Sequence, residues 1–284
     1  MITELLDKLQ GARYFSKFNV RWGYNNIRIK ENDEWKAAFK CSLGLFELMV
    51  MTFGLCNTPA TFQAFKNKIF EDLIDNGHTV VYLNDILLFH GSIPELHNLT
   101  HEVLHRLKAY DLFLKPEKCS FDQLKIEYLG ILIMEGCIRM DPVKVKAIIE
   151  WPTPKILKQV QSFLGFCNFY HRFIKNYFHI VRPLTGLTKK DTPFHWNDLQ
   201  KNTFASLIRA FTSAPVLALS DQSLPFRIIT DTSDYALGAI LEQSDALNHW
   251  HPIAFYLKSM APPELNYDIH DKELLAIIHA LETY

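Results

Sequence analysis

Few residues in this chain combine a reactive side chain with a position where a fold could use it. Asp85 lies in Val80-Val81-Tyr82-Leu83-Asn84-Asp85-Ile86-Leu87-Leu88-Phe89, two apolar strand-like runs joined by a polar pair. Read alone, Asn-Asp is a favourable hairpin turn. Asp231 closes an apolar run in Ile229-Thr230-Asp231-Thr232-Ser233-Asp234, and Glu273 sits at the start of the last helical stretch. Both also have an ordinary reading, an acidic turn after a strand and a carboxylate that complements a helix dipole. Asp221 and Asp234 read as turn residues. His97, His101 and His105 recur at i, i+4 and i+8, a spacing that could present imidazoles to zinc. Leu96, Leu99, Val103 and Leu107 run beside them without a Cys or acidic partner at suitable spacing, so a solvated helix face is expected.

Hydrophobic period and Gly/Pro punctuation supply the elements that must position these groups. Strands are expected at Phe46–Met51, across Thr79–Phe89, across Lys125–Met134, and at Phe226–Asp231, Ala236–Glu242 and Ile253–Leu257. Helices are expected at Thr58–Ile74, Pro94–Tyr110, Lys155–Phe173 and from Asp271 to the end. Asp141-Pro142 opens a further helix with an N-cap and a first-turn proline. Trp151-Pro152-Thr153-Pro154 ends it. Phe163, Phe166, Phe169, Tyr170 and Phe173 follow helical spacing and read as a core stripe.

Composition narrows the class. The 284 residues are 48% hydrophobic and 21% charged, an ordinary globular balance that excludes a disordered tail or a disulfide mini-protein. Five widely spaced cysteines without Cys-x-x-Cys read as reduced thiols in an intracellular protein. The N-terminus lacks a signal peptide's apolar region, and Leu43–Leu55 is too short to span a bilayer, so no membrane partner is expected. The net charge of −1 averages unlike parts. Residues 1–190 carry +6 and residues 191–284 carry −7, and residues 139–190 alone carry +8. That basic stretch fits either a solvated helical surface or a phosphate-backbone contact.

Motifs spread along the whole chain carry a resemblance. In order they are Leu5-Leu6-Asp7-Lys8-Leu9-Gln10-Gly11-Ala12, Phe53-Gly54-Leu55-Cys56-Asn57-Thr58-Pro59-Ala60-Thr61-Phe62-Gln63, Tyr82-Leu83-Asn84-Asp85, and Leu114-Lys115-Pro116-Glu117-Lys118-Cys119. Then come Tyr128-Leu129-Gly130, Trp151-Pro152-Thr153-Pro154, Ser162-Phe163-Leu164-Gly165, and Tyr267-Asp268-Ile269-His270-Asp271-Lys272-Glu273-Leu274-Leu275. Each is weak alone, and their shared order is specific. The chain resembles the Pol polyprotein of gypsy-type long-terminal-repeat retrotransposons, in its reverse transcriptase and RNase H region.

The resemblance implies an α/β (α+β) architecture: a right-hand polymerase palm with partial fingers over residues 1–138 and a basic helical thumb over 139–190. A connector over 191–215 and a C-terminally truncated RNase H-like mixed β-sheet domain over 216–284 complete it. Met1 would fall within the fingers, and further acidic ligands would lie beyond Tyr284. Such polymerases hold two Mg²⁺ (or Mn²⁺) ions on three aspartates, because hard cations take anionic oxygen ligands. The matching positions are Asn19, Asn84 and Asp85, so two of the three carboxylates are amides. An amide oxygen brings no charge, and activity is expected to be weak or absent. Val20, Tyr24, Phe53 and Gly54 match nucleotide-binding positions, with Tyr24 as steric gate, and Tyr128, Leu129 and Gly130 match the primer grip. Asp231 and Glu273 match two metal-binding carboxylates of RNase H. Lys155, Lys158, Arg172 and Lys175 are the expected nucleic-acid contacts. The implied partners are an RNA template, a DNA primer, an RNA–DNA hybrid and dNTP. A non-catalytic nucleic-acid-binding module and an inert remnant are the alternatives.

Overall fold

The computed structural model describes residues 8–233, 236–245 and 247–284. Two compact units divide the chain. One runs to Tyr128 and includes Met134–Gly136, and the other takes Leu129–Ile133 and Cys137–Tyr284.

The first unit contains β1 (Tyr14–Asn19), β2 (Phe39–Cys41), β3 (Gly44–Phe46), α1 (Thr58–Ile69), α2 (Glu71–Asp75), β4 (Thr79–Tyr82), β5 (Asp85–His90), α3 (Ile93–Ala109), β6 (Ser120–Gln123) and β7 (Lys125–Tyr128). Its main sheet has the order β4-β5-β1-β6. The continuous apolar run Ile86-Leu87-Leu88-Phe89 is buried throughout, as a strand covered on both faces requires. Phe62, Ile69 and Phe70 from the α1–α2 segment and Leu96, Val103 and Leu107 from α3 complete the core with Phe18 and Ile86.

Two expectations change here. The single helix expected over Thr58–Ile74 is two helices, because Phe70 leaves helical geometry (φ −112°, ψ 17°) while its ring is fully buried. The strand expected at Phe46–Met51 is absent as such. β3 ends at Phe46 and pairs only with β2, and Val50 makes an isolated bridge to Arg28. No second layer covers that hairpin among the described residues, which leaves Leu43 86% and Leu45 70% exposed.

The second unit continues with β8 (Ile131–Met134), β9 (Cys137–Met140), α4 (Pro142–Ile149), α5 (Leu157–Phe169), α6 (Tyr177–Gly186), α7 (Asp198–Thr212), β10 (Leu217–Ala218), β11 (Phe226–Thr232), β12 (Ala236–Ser244), β13 (Trp250–Ser259) and α8 (Ile269–Thr283). Asp141 caps α4 as its sequence context suggests, accepting from the Val143 amide at 2.9 Å. The helix expected over Lys155–Phe173 is the shorter α5 followed by a 3-10 turn at His171–Phe173. Phe163, Tyr170 and Phe173 are buried, whereas Phe169 faces outward. β11, β12 and β13 pair antiparallel in that order. Leu237 and Met260 pack with Ala276 of α8 in a small core.

Candidate functional site

The end of β1 meets the start of β5, because the antiparallel register places Asn19 opposite Asp85. The Asn19 Nδ2 donates to Asp85 Oδ1 at 2.6 Å. A carboxylate only accepts, so the amide must turn its NH₂, and not its oxygen, toward Asp85. β4 and β5 are joined by the two-residue turn Leu83-Asn84, with Tyr82 opposite Asp85. Leu83 takes φ 45°, a left-handed conformation that is costly for a residue with a Cβ. Gln63 of α1 holds the turn there: its Nε2 donates to the Val81 carbonyl at 2.8 Å and its Oε1 accepts from the Leu83 amide at 2.7 Å. The Val20 amide donates to the Asn84 carbonyl at 2.8 Å. Asn19, Val20, Asn84 and Asp85 are therefore brought to one place, and Gln63 is the residue that pins the hairpin.

Tyr24 is buried next to this corner, with its ring edge-on to Phe53 (5.0 Å) and Phe62 (5.4 Å). Phe53 itself is 79% exposed, and Gly54 takes φ 99° in the loop that carries it. The turn at Trp22 (φ 50°) sets Gly23 so close to Phe62 and Asn84 that a Cβ there would lie 2.4 Å from the Phe62 ring and 2.6 Å from Asn84 Oδ1. Asn84 Oδ1 is buried without a hydrogen-bond partner.

Lys66 was not among the residues expected from sequence at this site. It is wholly buried on α1, its Nζ has no hydrogen-bond partner, and it lies 4.7 Å from the centre of the Phe62 ring. Burial pulls the ammonium from its ordinary 10.5 down to about 7, while the Asp85 carboxylate pulls it back up. The sequence does contain a signal: Lys66 falls four residues after Phe62 and three before Ile69, on the helix face that turns inward.

That shift has a stability consequence with a definite sign. Between about pH 7 and 10.5 the unfolded chain binds a proton on Lys66 that the folded chain lacks. The buried charge therefore destabilises the fold fully below about pH 7, and its cost fades as pH rises toward 10.5. The advantage of Lys66→Met over the natural chain is expected to shrink across that window in urea unfolding. An advantage independent of pH would contradict the burial of the amine.

At the other expected positions, Tyr128 is buried with its hydroxyl unpartnered. Burial and then the Asp85 charge raise its pKa. Leu129 and Gly130 follow in left-handed conformations (φ 49° and 76°), and Tyr170 Oη donates to the Gly130 carbonyl at 3.1 Å. Lys155 and Lys158 are exposed at the start of α5. Lys175 is exposed as well and borders clefts along β12 and β13, while Arg172 is half-buried in the 3-10 turn.

Asp231 lines a cleft of about 180 Å³ with Asn176, His179, Ser233 and Gly238. Glu273 is exposed on α8 and does not line that cleft. Of the histidine stripe, His97 pairs with Asp122 at 2.8 Å, a carboxylate from β6 that helix spacing alone could not reveal. Asp221 caps its own turn by accepting from the Ser223 amide at 2.9 Å. Leu5, Leu6, Asp7 and Asp234 lie outside the described residues.

These residues do not fit a pair of divalent cations. The Asn19–Asn84–Asp85 corner offers one carboxylate, already engaged by an amide N–H. No group of three or more His, Cys, Asp or Glu side chains is placed to hold a metal ion among the described residues. Nor is any described helix long and apolar enough to cross a membrane.

An antiparallel sheet with a Tyr-Leu-Asn-Asp hairpin where β1 meets β5, followed in sequence by helices and a second sheet, has the order of elements expected of a reverse transcriptase region with an RNase H-like domain. The family model for reverse transcriptase (RNA-dependent DNA polymerase) matches residues 2–133, and that for the RNase H-like domain found in reverse transcriptase matches residues 196–284. The transposon Tf2-3 and Tf2-7 polyproteins of Schizosaccharomyces pombe are each 34% identical over 282 residues. The alignment covers 99% of this chain and only 21% of the length of those relatives. Foamy viral protease-reverse transcriptase in complex with an RNA/DNA hybrid has a similar fold, with TM-score 0.84 and 21% identity over 99% of this chain and 38% of that one. The same viral protein in complex with dsDNA gives TM-score 0.83, again at 21% identity, over 99% of this chain and 58% of that one. The chain belongs to the reverse transcriptase–RNase H region of gypsy-type long-terminal-repeat retrotransposon Pol polyproteins.

Proposed function

We propose that this chain comes from an RNA-directed DNA polymerase and RNase H lineage, and that its own DNA synthesis is weak or absent. The hydrogen bond from the Asn19 amide to Asp85 carries this reading, because it sets an uncharged side chain against the remaining carboxylate. Phosphoryl transfer of this class depends on preorganised charge at the transferring group. The loss of one such group costs on the order of 10²-fold or more in rate. With amides at both 19 and 84, the corner can still order a backbone turn and present Tyr24, but it cannot gather the charge the reaction requires. Residues 1–138 are assigned to partial fingers and palm, 139–190 to the thumb, 191–215 to the connector and 216–284 to the RNase H-like domain. The proposed partners are RNA template, DNA primer, hybrid and dNTP, met inside the cell. Primer extension with Mg²⁺ or Mn²⁺ is expected to give no more than trace incorporation, and robust template-dependent synthesis by the natural chain would overturn the proposal.

A second reading is favoured by the +8 charge of residues 139–190: binding of an RNA–DNA hybrid without chemistry. The affinity is then expected to fall roughly linearly in log salt. Charge reversal at the exposed Lys155, Lys158 and Lys175 should weaken it, and unchanged affinity would count against this surface.

A further inference from the structure

We infer that Arg21 and Trp22, on the turn that follows β1, form a stacking shelf for an unpaired base of a nucleic-acid strand. The inference rests on the proposed binding of nucleic acid and deepens it. It adds a contact in the first unit that takes single strands, apart from the basic stretch of the second.

The shelf is exposed and held in place. Trp22 is 63% exposed, and the guanidinium carbon of Arg21 lies 4.0 Å from the centre of its ring. A ring left open to water forgoes the gain of burial. Trp22 also takes φ 50°, a left-handed conformation unfavourable for so bulky a residue. Neither cost gives it a place in the core. The turn is nevertheless tied down by its backbone. The Arg21 amide donates to the Phe113 carbonyl at 2.6 Å, and the Arg21 carbonyl accepts from Asn26 Nδ2 at 3.2 Å. The Trp22 carbonyl accepts from the Asn25 amide at 2.9 Å, and Gly23 is wedged against Phe62 and Asn84. An exposed side chain on a strained but fixed backbone is typical of a ligand contact.

Chemistry selects the ligand. Arg21 has no carboxylate partner among the described residues, so its charge is open to an anion. A guanidinium lying on an indole offers a flat cationic surface with N–H donors at its edge. Bases stack on such planes, and phosphate oxygens accept from the edge. Two more exposed rings adjoin the same turn. Phe53 packs edge-on against Tyr24, and Phe113, 64% exposed, supplies the carbonyl that receives the Arg21 amide. Aromatic rings beside a cation suit a single strand, because every base has a π face, whereas duplex bases already stack on one another. The corner next to Gly23 holds one carboxylate, Asp85, and repels phosphates less than three would.

The test uses the full chain in EDTA, with fluorescein-labelled oligothymidylate followed by fluorescence anisotropy. Trp22→Asn removes the ring and keeps a residue that tolerates the left-handed turn. It is expected to weaken binding by about five- to a hundred-fold, whereas Trp22→Phe keeps most of the affinity. An abasic oligomer of equal length is expected to bind both chains alike, since it has phosphates but nothing to stack. Arg21→Gln is expected to lower the slope of log affinity against log salt by about 0.7, one phosphate contact on a single strand. Equal affinity of the natural chain and Trp22→Asn for oligothymidylate would overturn the inference, and so would an equal Trp22→Asn loss on the abasic oligomer. A blunt RNA–DNA hybrid is titrated in parallel. If the hybrid binds while Trp22→Asn leaves oligothymidylate affinity unchanged, the shelf fails and the hybrid reading stands. Trp22-dependent binding of oligothymidylate by a chain that ignores the hybrid gives the reverse result. Binding of neither overturns both.

Discussion

Replacing Phe62 with alanine is expected to lower the stability of the first unit by about 3–5 kcal/mol, the range for deleting a fully buried aromatic ring. The ring has no exposed surface, and Tyr24 packs edge-on against it at 5.4 Å. Gly23 approaches it so closely that only a residue without a side chain fits. The Lys66 ammonium lies 4.7 Å from the ring centre, a contact in which the π face partly compensates for lost water. Alanine would remove both the packing and that compensation, and the cavity could not close without moving the Asn84 turn. Amide hydrogen exchange of β1 and β5 measured across a urea series reports the loss directly. A change below about 1 kcal/mol, the size of an ordinary surface substitution, would mean that the ring is not the centre of this corner.

The second large effect lies in the other unit. Gly130→Ala is expected to cost about 2–5 kcal/mol, from two causes that act together. At φ 76° the backbone is in the left-handed region, and an added Cβ would sit 2.7 Å from Tyr170 Oη. The tyrosine cannot simply withdraw, since its hydroxyl donates to the Gly130 carbonyl at 3.1 Å and its ring packs against Phe166 and Phe169. Tyr170→Phe alone should lose about 0.5–1.5 kcal/mol, the worth of one hydrogen bond. In the double variant the steric part of the glycine penalty disappears while the backbone part remains. The combined loss is therefore expected to be smaller than the two single losses added. Strict additivity in thermal unfolding would show that the hydroxyl and position 130 do not meet.

Both effects share a feature with Lys66, in that the decisive neighbour is remote in sequence. Gly23 is crowded by Phe62 and Asn84, Gly130 by Tyr170, and Asn19 is held by a carboxylate 66 residues away. Motif order suggested that Asn19, Asn84 and Asp85 belong together, and the register of β1 on β5 brings them to one corner. The motif says nothing, however, about which way the Asn19 amide points. The presence of a carboxylate opposite it settles that, and with it the poor fit to metal ions.

Local sequence determined what local forces control. The apolar run Ile86–Phe89 specifies a strand covered on both faces, Asp141-Pro142 specifies a helix start, and alternation and helical period locate β11, β12 and α8. These features rest on backbone hydrogen bonds and side-chain spacing within a few residues, so they are legible without a fold. Tertiary structure alone decided the rest. Phe70 breaks the long helix because its ring is drawn into the core, and Phe46–Met51 forms no strand because, among the described residues, no neighbour extends the β2–β3 ladder past Phe46. Lys66 lies on a helix face whose period already pointed inward, yet its environment was set only when that face closed over Phe62 and the β4–β5 turn. Burial and electrostatic balance are sums over groups far apart in the chain, and they acquire values only once the chain has packed.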